Sequence, residues 1–471
     1  TGISTNGQFA LFESSASDLV ANDTNIASDV FVRDLVNGTT TLVSAGLNGG
    51  VASGGSRGSV LTPDGRYVAF VGTASNLVAG DSNNIPDVFV RDLQAGTTTQ
   101  VSLGATSTNA STRPSSSESP EITPDGRYVA FYSTATNLVP TVKTGGEIYV
   151  RDLQAGNTVW VSTNARAIFA SVTGSSNCVA CNYSISDDGQ FVAFEVCSNS
   201  PATSTSAGII LRYSLLTGLT EFISSNAFVP NAPFELVHDL SLSSDGRFIA
   251  YVTRHLATNS IYEWDAQSGS NTLVSVSLDN ASPANGISAA PVISSNGRFI
   301  AFVSSAGNLV TNLLFGSCHF YVRDLQAGVT RLLDADANGV GVGVDPTGVP
   351  AISADGGVVV FDCPNLLSGN RHQFRDVFIH TVAAGANDLI TASQPGLSAQ
   401  TPDGISGLTP SCVSSNGLFV AFYSDADNLA LNDTNGCSDV FVRDLAGGTT
   451  VLVSVDTNGY ASGDGVSTEP S

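Results

Sequence analysis

The chain has no methionine, only two tryptophans and only 18 lysines and arginines in 471 residues. Lacking an initiator methionine, it is expected to derive from a precursor whose leader or longer N-terminal part was removed. The few bases face 41 acids, for a net charge of −23. Such a field repels phosphate backbones and anionic headgroups, so nucleic acid is excluded as a partner. No run of about eighteen apolar residues occurs, so no transmembrane segment is expected. An exported protein follows, extracellular or at the cell surface, with the periplasm as the alternative. Charged residues make up 13%, against roughly a quarter in an average soluble protein. Serine, threonine, asparagine and glycine fill the polar positions and give an uncharged, turn-rich surface. The excess carboxylates suit bound cations as well as simple solubility. Seven cysteines leave at least one without an intrachain partner in an oxidising environment.

What the chain has in abundance is repetition. "LTPDGRYVAF" from Leu61 returns as "ITPDGRYVAF" from Ile122, "ISDDGQFVAF" from Ile185 and "ISSNGRFIAF" from Ile293; the eight copies start near 3, 61, 122, 185, 242, 293, 352 and 413. An Asp-Gly or Asn-Gly pair between two apolar runs is a hairpin signal, because both residues tolerate positive φ. A variable loop follows, then a third strand such as "DVFVRDL", the turn "QAGTT" and a fourth strand. Four antiparallel strands per unit, repeated without helical periodicity, predict an all-β fold: a single eight-bladed β-propeller spanning 1–471. The other first strands are entered through phrases such as "SPEIT" and "APVIS". The chain ends "STEPS" and starts "TGIS". The C-terminal segment is therefore expected to lie against blade one and close the ring, removing an exposed edge.

The "PDGRYVAF" hairpin followed by "DVFVRDLQAGTT" resembles the TolB-type, WD-like β-propeller repeat of bacterial exported proteins. The resemblance covers essentially the whole chain and implies the propeller fold. It does not choose among the binding platforms, enzyme accessory domains and scaffolds that such propellers provide.

Candidate sites fall mainly in the loop between strands two and three. Asp23, Asn25 and Asp29 of unit one recur as Asp81, Asn83 and Asp87 of unit two and as Asp433, Asn435 and Asp439 of unit eight. Oxygen ligands at alternating loop positions suit Ca²⁺; the same residues also form Asx-turns that order a loop without metal. Units three, six and seven keep only the last position, as Glu147, His319 and Asp376. The Arg-Asp pair ending strand three, Arg33-Asp34 and its four copies, recurs too often to be catalytic. It is expected to tie the blade, the arginine reaching a hairpin aspartate such as Asp64 or Asp125. "GGSRG" at Gly54–Gly58 matches G-x-S-x-G without its strand-to-helix context and reads as a crossover loop. The five histidines show no ligand spacing, and Trp160 and Trp264 fall in strands. Folding unit four about Asp188-Gly189 sets Cys181 nearly opposite Cys197, the best disulfide candidate.

Loops on one face carry the length variation, and rigidly presented loops are the usual place for recognition. The expectation is a non-enzymatic module, structural or adhesive, meeting protein partners or its own copies through that loop face. The alternative is a propeller enzyme of metal-dependent lyase or lactonase type, or a small-ligand binder, using the central channel. That alternative needs acids or histidines on the first strands, where His238, Asp239 and Glu121 are the exceptions to a run of Ser, Ala, Pro and Val.

Overall fold

Each unit starts with the same local device. In unit two Thr62 Oγ1 donates to Asp64 Oδ1 at 2.6 Å, the same oxygen accepts the Arg66 N–H at 3.0 Å, and the Tyr67 N–H returns to Thr62 Oγ1 at 2.9 Å. Gly65 sits at φ +77°, a left-handed conformation that costs a residue with a Cβ. A Cβ there would also strike the ring of Phe9 in unit one. These roles explain why a hydroxyl residue, an Asp or Asn, and a glycine keep their spacing through the repeats. Unit eight repeats the device with Ser414, Asn416 and Gly417.

The structure, a computed structural model, describes residues 2–468 apart from 107–115, 143, 199–207, 228–239, 256–257, 365, 367–373 and 394–401. Six four-stranded antiparallel sheets and one of eight strands make up the chain. Unit two runs Ser56–Leu61, Tyr67–Gly72, Asp87–Asp92 and Thr97–Gln100, adjacent in that order. The eight-stranded sheet is units four and five, joined through the pair Ala227 and Thr253. In unit one, Phe9–Ser14 is flanked by Asp29–Asp34 and by Ser467–Thr468 from the other end of the chain. There Glu13 stands opposite Thr468 and Ser14 opposite Ser467. The first strands of successive units two to seven touch one another, forming an inner layer.

Strands two and three are buried on both faces because each sheet packs between two others. Leu11 and Val30 of unit one cluster with Val68 and Phe70 of unit two. Ile3, Phe12 and Phe31 cluster with Ala421 and Val440 of unit eight. Phe12 and Phe31 stack within their sheet at 5.6 Å between ring centroids. Each such buried phenylalanine contributes about 2–3 kcal/mol of apolar transfer free energy. The turn glycines mark the same stacking: Gly126 packs on Tyr67, Gly189 on Tyr128, Gly246 on Phe191, and Gly7 of unit one on Phe419 of unit eight.

The architecture is therefore all-β and of propeller type, with one departure from expectation. Ala165–Thr173, in a chain whose repeats carry no helical periodicity, is a helix that buries Ala165 and Phe169, four residues apart on one face, and ends at Gly174 with φ +77°. Its apolar stripe is too short to register against the surrounding β pattern. Among the described residues no helix is long and apolar enough to cross a membrane.

Candidate functional site

The loop acids divide into two roles. The last acid of each triplet opens strand three and is fully buried: Asp29 Oδ1 accepts the Ser44 hydroxyl at 2.6 Å, and Ser44 Oγ accepts the Val30 N–H at 3.1 Å. The partner always lies fifteen residues on, as Ser102 for Asp87, Ser162 for Glu147, Thr391 for Asp376 and Ser454 for Asp439. Unit six keeps the contact with both partners changed, His319 Nδ1 meeting Asp334 Oδ2 at 2.7 Å. This position survives in units that lose the triplet because it joins strand three to strand four. The fifteen-residue spacing was a sequence signal that went unread.

The first two triplet residues order the loop. Asn25 Oδ1 accepts the Ala27 N–H at 2.9 Å and its amide donates to Asp29 Oδ2 at 2.7 Å. Asn83 does the same in unit two, at 3.1 Å to Ile85 N and 2.6 Å to Asp87 Oδ2. Asp23 and Asp81 accept the backbone N–H of Asn25 and Asn83. These are Asx-turns, and they engage the amide oxygen that a cation would need. In unit eight the Asn435 amide keeps its bond to a loop carbonyl, Gly463 O at 2.7 Å, as Asn25 does to Ala52 O and Asn83 to Ala105 O, but it has no carboxylate oxygen in hydrogen-bond geometry. Both oxygens of Asp433 and Oδ2 of Asp439 are then left buried without a hydrogen-bond partner. Burial first, then the facing Asp439 carboxylate, pushes Asp433 up to about 8; burial pushes Asp87 up to about 6. Among the described residues no three His, Cys, Asp or Glu side chains stand together at metal-ligand spacing.

Three other sequence expectations are corrected. Cys181 and Cys197 are free thiols, 3.6 Å apart at sulfur, as are the remaining five cysteines. A bulge at Asn182 sets Cys181 opposite Glu195 and Cys197 opposite Val179, so the two meet only on the diagonal. The strand-three arginines do not reach hairpin aspartates: Arg33 and Arg91 donate to Thr40 and Thr98 on strand four. It is the hairpin arginine that binds the strand-three aspartate of its own unit, Arg66 to Asp92 and Arg127 to Asp152, both at 2.8 Å. "GGSRG" is no crossover loop either, since Ser56 opens the first strand of unit two with its hydroxyl buried.

The inner layer holds what the sequence reading undervalued. The first strands of units two, three, four and six carry a bulge, with Gly58, Ser119, Asn182 and Ala290 at positive φ, a device common beside functional sites. Around the unit-three bulge, Arg57 lies 3.7 Å from Glu118, and the Tyr183 hydroxyl donates to Ser119 O. Glu121 Oε2 accepts the Ile185 N–H of unit four at 3.0 Å. Burial pushes the Glu121 carboxyl up to about 7, against the lowering pull of that N–H and of Ser184. Glu118 and Glu121 both raise the Tyr183 phenol, whose own burial is the larger cause. Ser241 of unit five makes the same inter-unit tie, accepting the Ile293 N–H at 3.2 Å. A neutral hydroxyl therefore serves the scaffold at this position, and the acid of Glu121 is surplus to it. Of the other inner-strand residues singled out by sequence, His238 and Asp239 lie outside the described residues.

No protein-family model matches the chain, and no curated protein sequence matches it. Solved structures do. The chain is similar to dipeptidyl peptidase 4 of Porphyromonas gingivalis at 13% identity and TM-score 0.54, over 96% of this chain and 59% of that one. It spans, then, under two thirds of that peptidase. An oligogalacturonate lyase in complex with manganese matches at 12% identity and TM-score 0.42, over 77% of this chain and 84% of that one. A putative TolB from Agrobacterium tumefaciens matches at 17% identity and TM-score 0.34, over 64% and 86%. The fold, read from the chain's own four-stranded antiparallel sheets, is of propeller type. The expectation of a non-enzymatic module is corrected by the first of these matches: a solved structure similar to 96% of this chain is a peptidase, so this architecture gives no ground for a scaffold alone. At such identity the likeness speaks for fold, and chemistry has to come from this chain's own residues.

Proposed function

We propose that the eight units form one closed ring, exported to the periplasm or cell surface. The pairing of Ser467–Thr468 with Glu13 and Ser14 and the packing of Gly7 on Phe419 support closure. Within it, we propose an enzyme that performs acid–base chemistry of lyase or lactonase type on a small ligand held against the inner strands of units three and four. The observation that carries this reading is Glu121, a carboxyl near pKa 7 at a position where the fold needs only a hydroxyl. A group poised there exchanges a proton at neutral pH with little free-energy cost in either direction. Glu121 takes a proton from the ligand or returns it to the leaving oxygen. Arg57, half exposed beside Glu118, anchors a negative group of the ligand, and Tyr183 holds the bulged strand through Ser119 O.

Turnover of a panel of lactones, esters and uronides by the wild type, Glu121→Gln and Glu121→Ser tests the reading. The serine variant keeps the tie seen at Ser241 and removes the acid. A fall of about 100-fold or more, with loss of the pH limb near 7, is expected; undiminished turnover in a folded Glu121→Ser protein contradicts it. Saturable ligand binding without turnover by the wild type favours the second reading, a small-ligand binder. On the loop face, exposed Ile26 and Leu431 mark where a protein partner or second copy docks. Sedimentation that shows a monomer at every concentration removes the second copy.

A further inference from the structure

We infer that the unit-eight loop binds one hard divalent cation of the Ca²⁺ type through the carboxylates of Asp433 and Asp439. These side chains are 4% and 0% exposed, and three of their four oxygens have no partner in hydrogen-bond geometry, Ser462 and Asn435 being near enough only to pull the two carboxyls down slightly. The fourth, Asp439 Oδ1, accepts the Ser454 hydroxyl at 2.5 Å. Two buried carboxylates facing one another are strongly unfavourable unless something positive lies between them. A proton shared by the pair satisfies two of the three oxygens at most, whereas a cation bridging the carboxylates engages all three.

The sister loops show what the site lacks. In units one and two the asparagine amide fills Oδ2 of the last acid, and the first acid accepts a backbone N–H, with Asp81 Oδ1 alone left over in unit two. In all three loops the amide also reaches a carbonyl, Ala52 O, Ala105 O or Gly463 O, but in unit eight it leaves Asp439 Oδ2 out of hydrogen-bond geometry, and the first acid faces the second. Unit eight also adds an acid at the rim: exposed Asp427 stands where Ser17 and Ser75 stand in the sister loops, and its charge acts on both Asp433 and Asp439. Two carboxylates leave the other positions of a six- to eight-coordinate shell to backbone carbonyls and water, consistent with affinity of about 10⁻⁵–10⁻³ M. The site is separate from Glu121 and stands or falls independently of the enzymatic reading.

The test is calorimetric titration of the chelator-stripped full chain with CaCl₂, alongside thermal melting. One site per chain and a higher Tm with Ca²⁺ are expected. Asp427→Ser, a surface change that leaves folding intact, weakens binding about two- to fivefold, and Asp433→Asn abolishes it. Asp23→Asn leaves it unchanged. No heat and no Tm shift up to about 10 mM Ca²⁺, beyond the range of even weak sites, overturns the inference in favour of a shared proton. Unchanged affinity in both Asp433→Asn and Asp427→Ser overturns it in favour of a site elsewhere.

Discussion

Asp23-Thr24-Asn25 and Asp433-Thr434-Asn435 are spelled alike, yet the first loop satisfies its carboxylates and the second leaves three oxygens bare. The backbone does not make the difference. At the residue after the asparagine both loops take a positive φ, carried by Ile26 at 55° in unit one and by Gly436 at 66° in unit eight. Around that kink both asparagine amides reach a loop carbonyl, Ala52 O and Gly463 O, but only the unit-one amide also reaches a carboxylate. A repeated motif thus fixes the loop's path and not how its carboxylates are satisfied.

Substitutions can sharpen this comparison. The largest effect is expected from the strand-four serines. Ser44→Ala strands both Asp29 Oδ1 and the Val30 N–H and costs about 2–3 kcal/mol in urea unfolding. In calcium-free protein Ser454→Ala costs at least as much, because Asp439 then loses its one side-chain donor in full hydrogen-bond geometry. Next come the asparagines. Asn25→Ala removes the amide from Asp29 and costs about 1–2 kcal/mol; Asn435→Ala costs less, since no carboxylate depends on that amide in hydrogen-bond geometry. A smaller gain is expected from Ile26→Gly, which relieves a β-branched residue at positive φ and is 92% exposed. It stabilises by about 1 kcal/mol, and the reverse change at Gly436 destabilises by as much.

A control outside both loops concerns pH. Glu121 titrates near 7 when folded and near 4.5 when unfolded, so between those values the folded state holds a proton that the unfolded chain has released. The Glu121 contribution to stability therefore falls as pH rises from about 4.5 to about 7 and is flat above. Glu121→Gln removes that share of the slope in urea midpoints and leaves the share of other raised acids such as Glu263 and Asp433.

The hairpin of each unit was legible because every residue in "TPDGR" acts on a neighbour within five positions. The arginine tie was misread for want of register: Tyr67 pairs with Asp92, which sets Arg66, and no arginine of strand three, beside that carboxylate. The disulfide failed for the same reason, since the bulge at Asn182 cannot be seen by counting residues from a turn. Glu121 was noticed as an acid on an inner strand, but its meaning depends on Ser241 doing the same task, which only the inter-unit contact reveals. The unequal loops were the least legible, because the bond from asparagine to a loop carbonyl is common to all three and only the amide's bond to the last acid differs.

Equilibrium dialysis of radioactive calcium against the wild-type chain measures the central claim directly, by counting sites. The account predicts one calcium per chain, lost in Asp433→Asn and kept in Asp23→Asn. Three per chain would show that the spelling of the loop suffices to bind metal, and none would show that Asp433 and Asp439 share a proton; either result contradicts it.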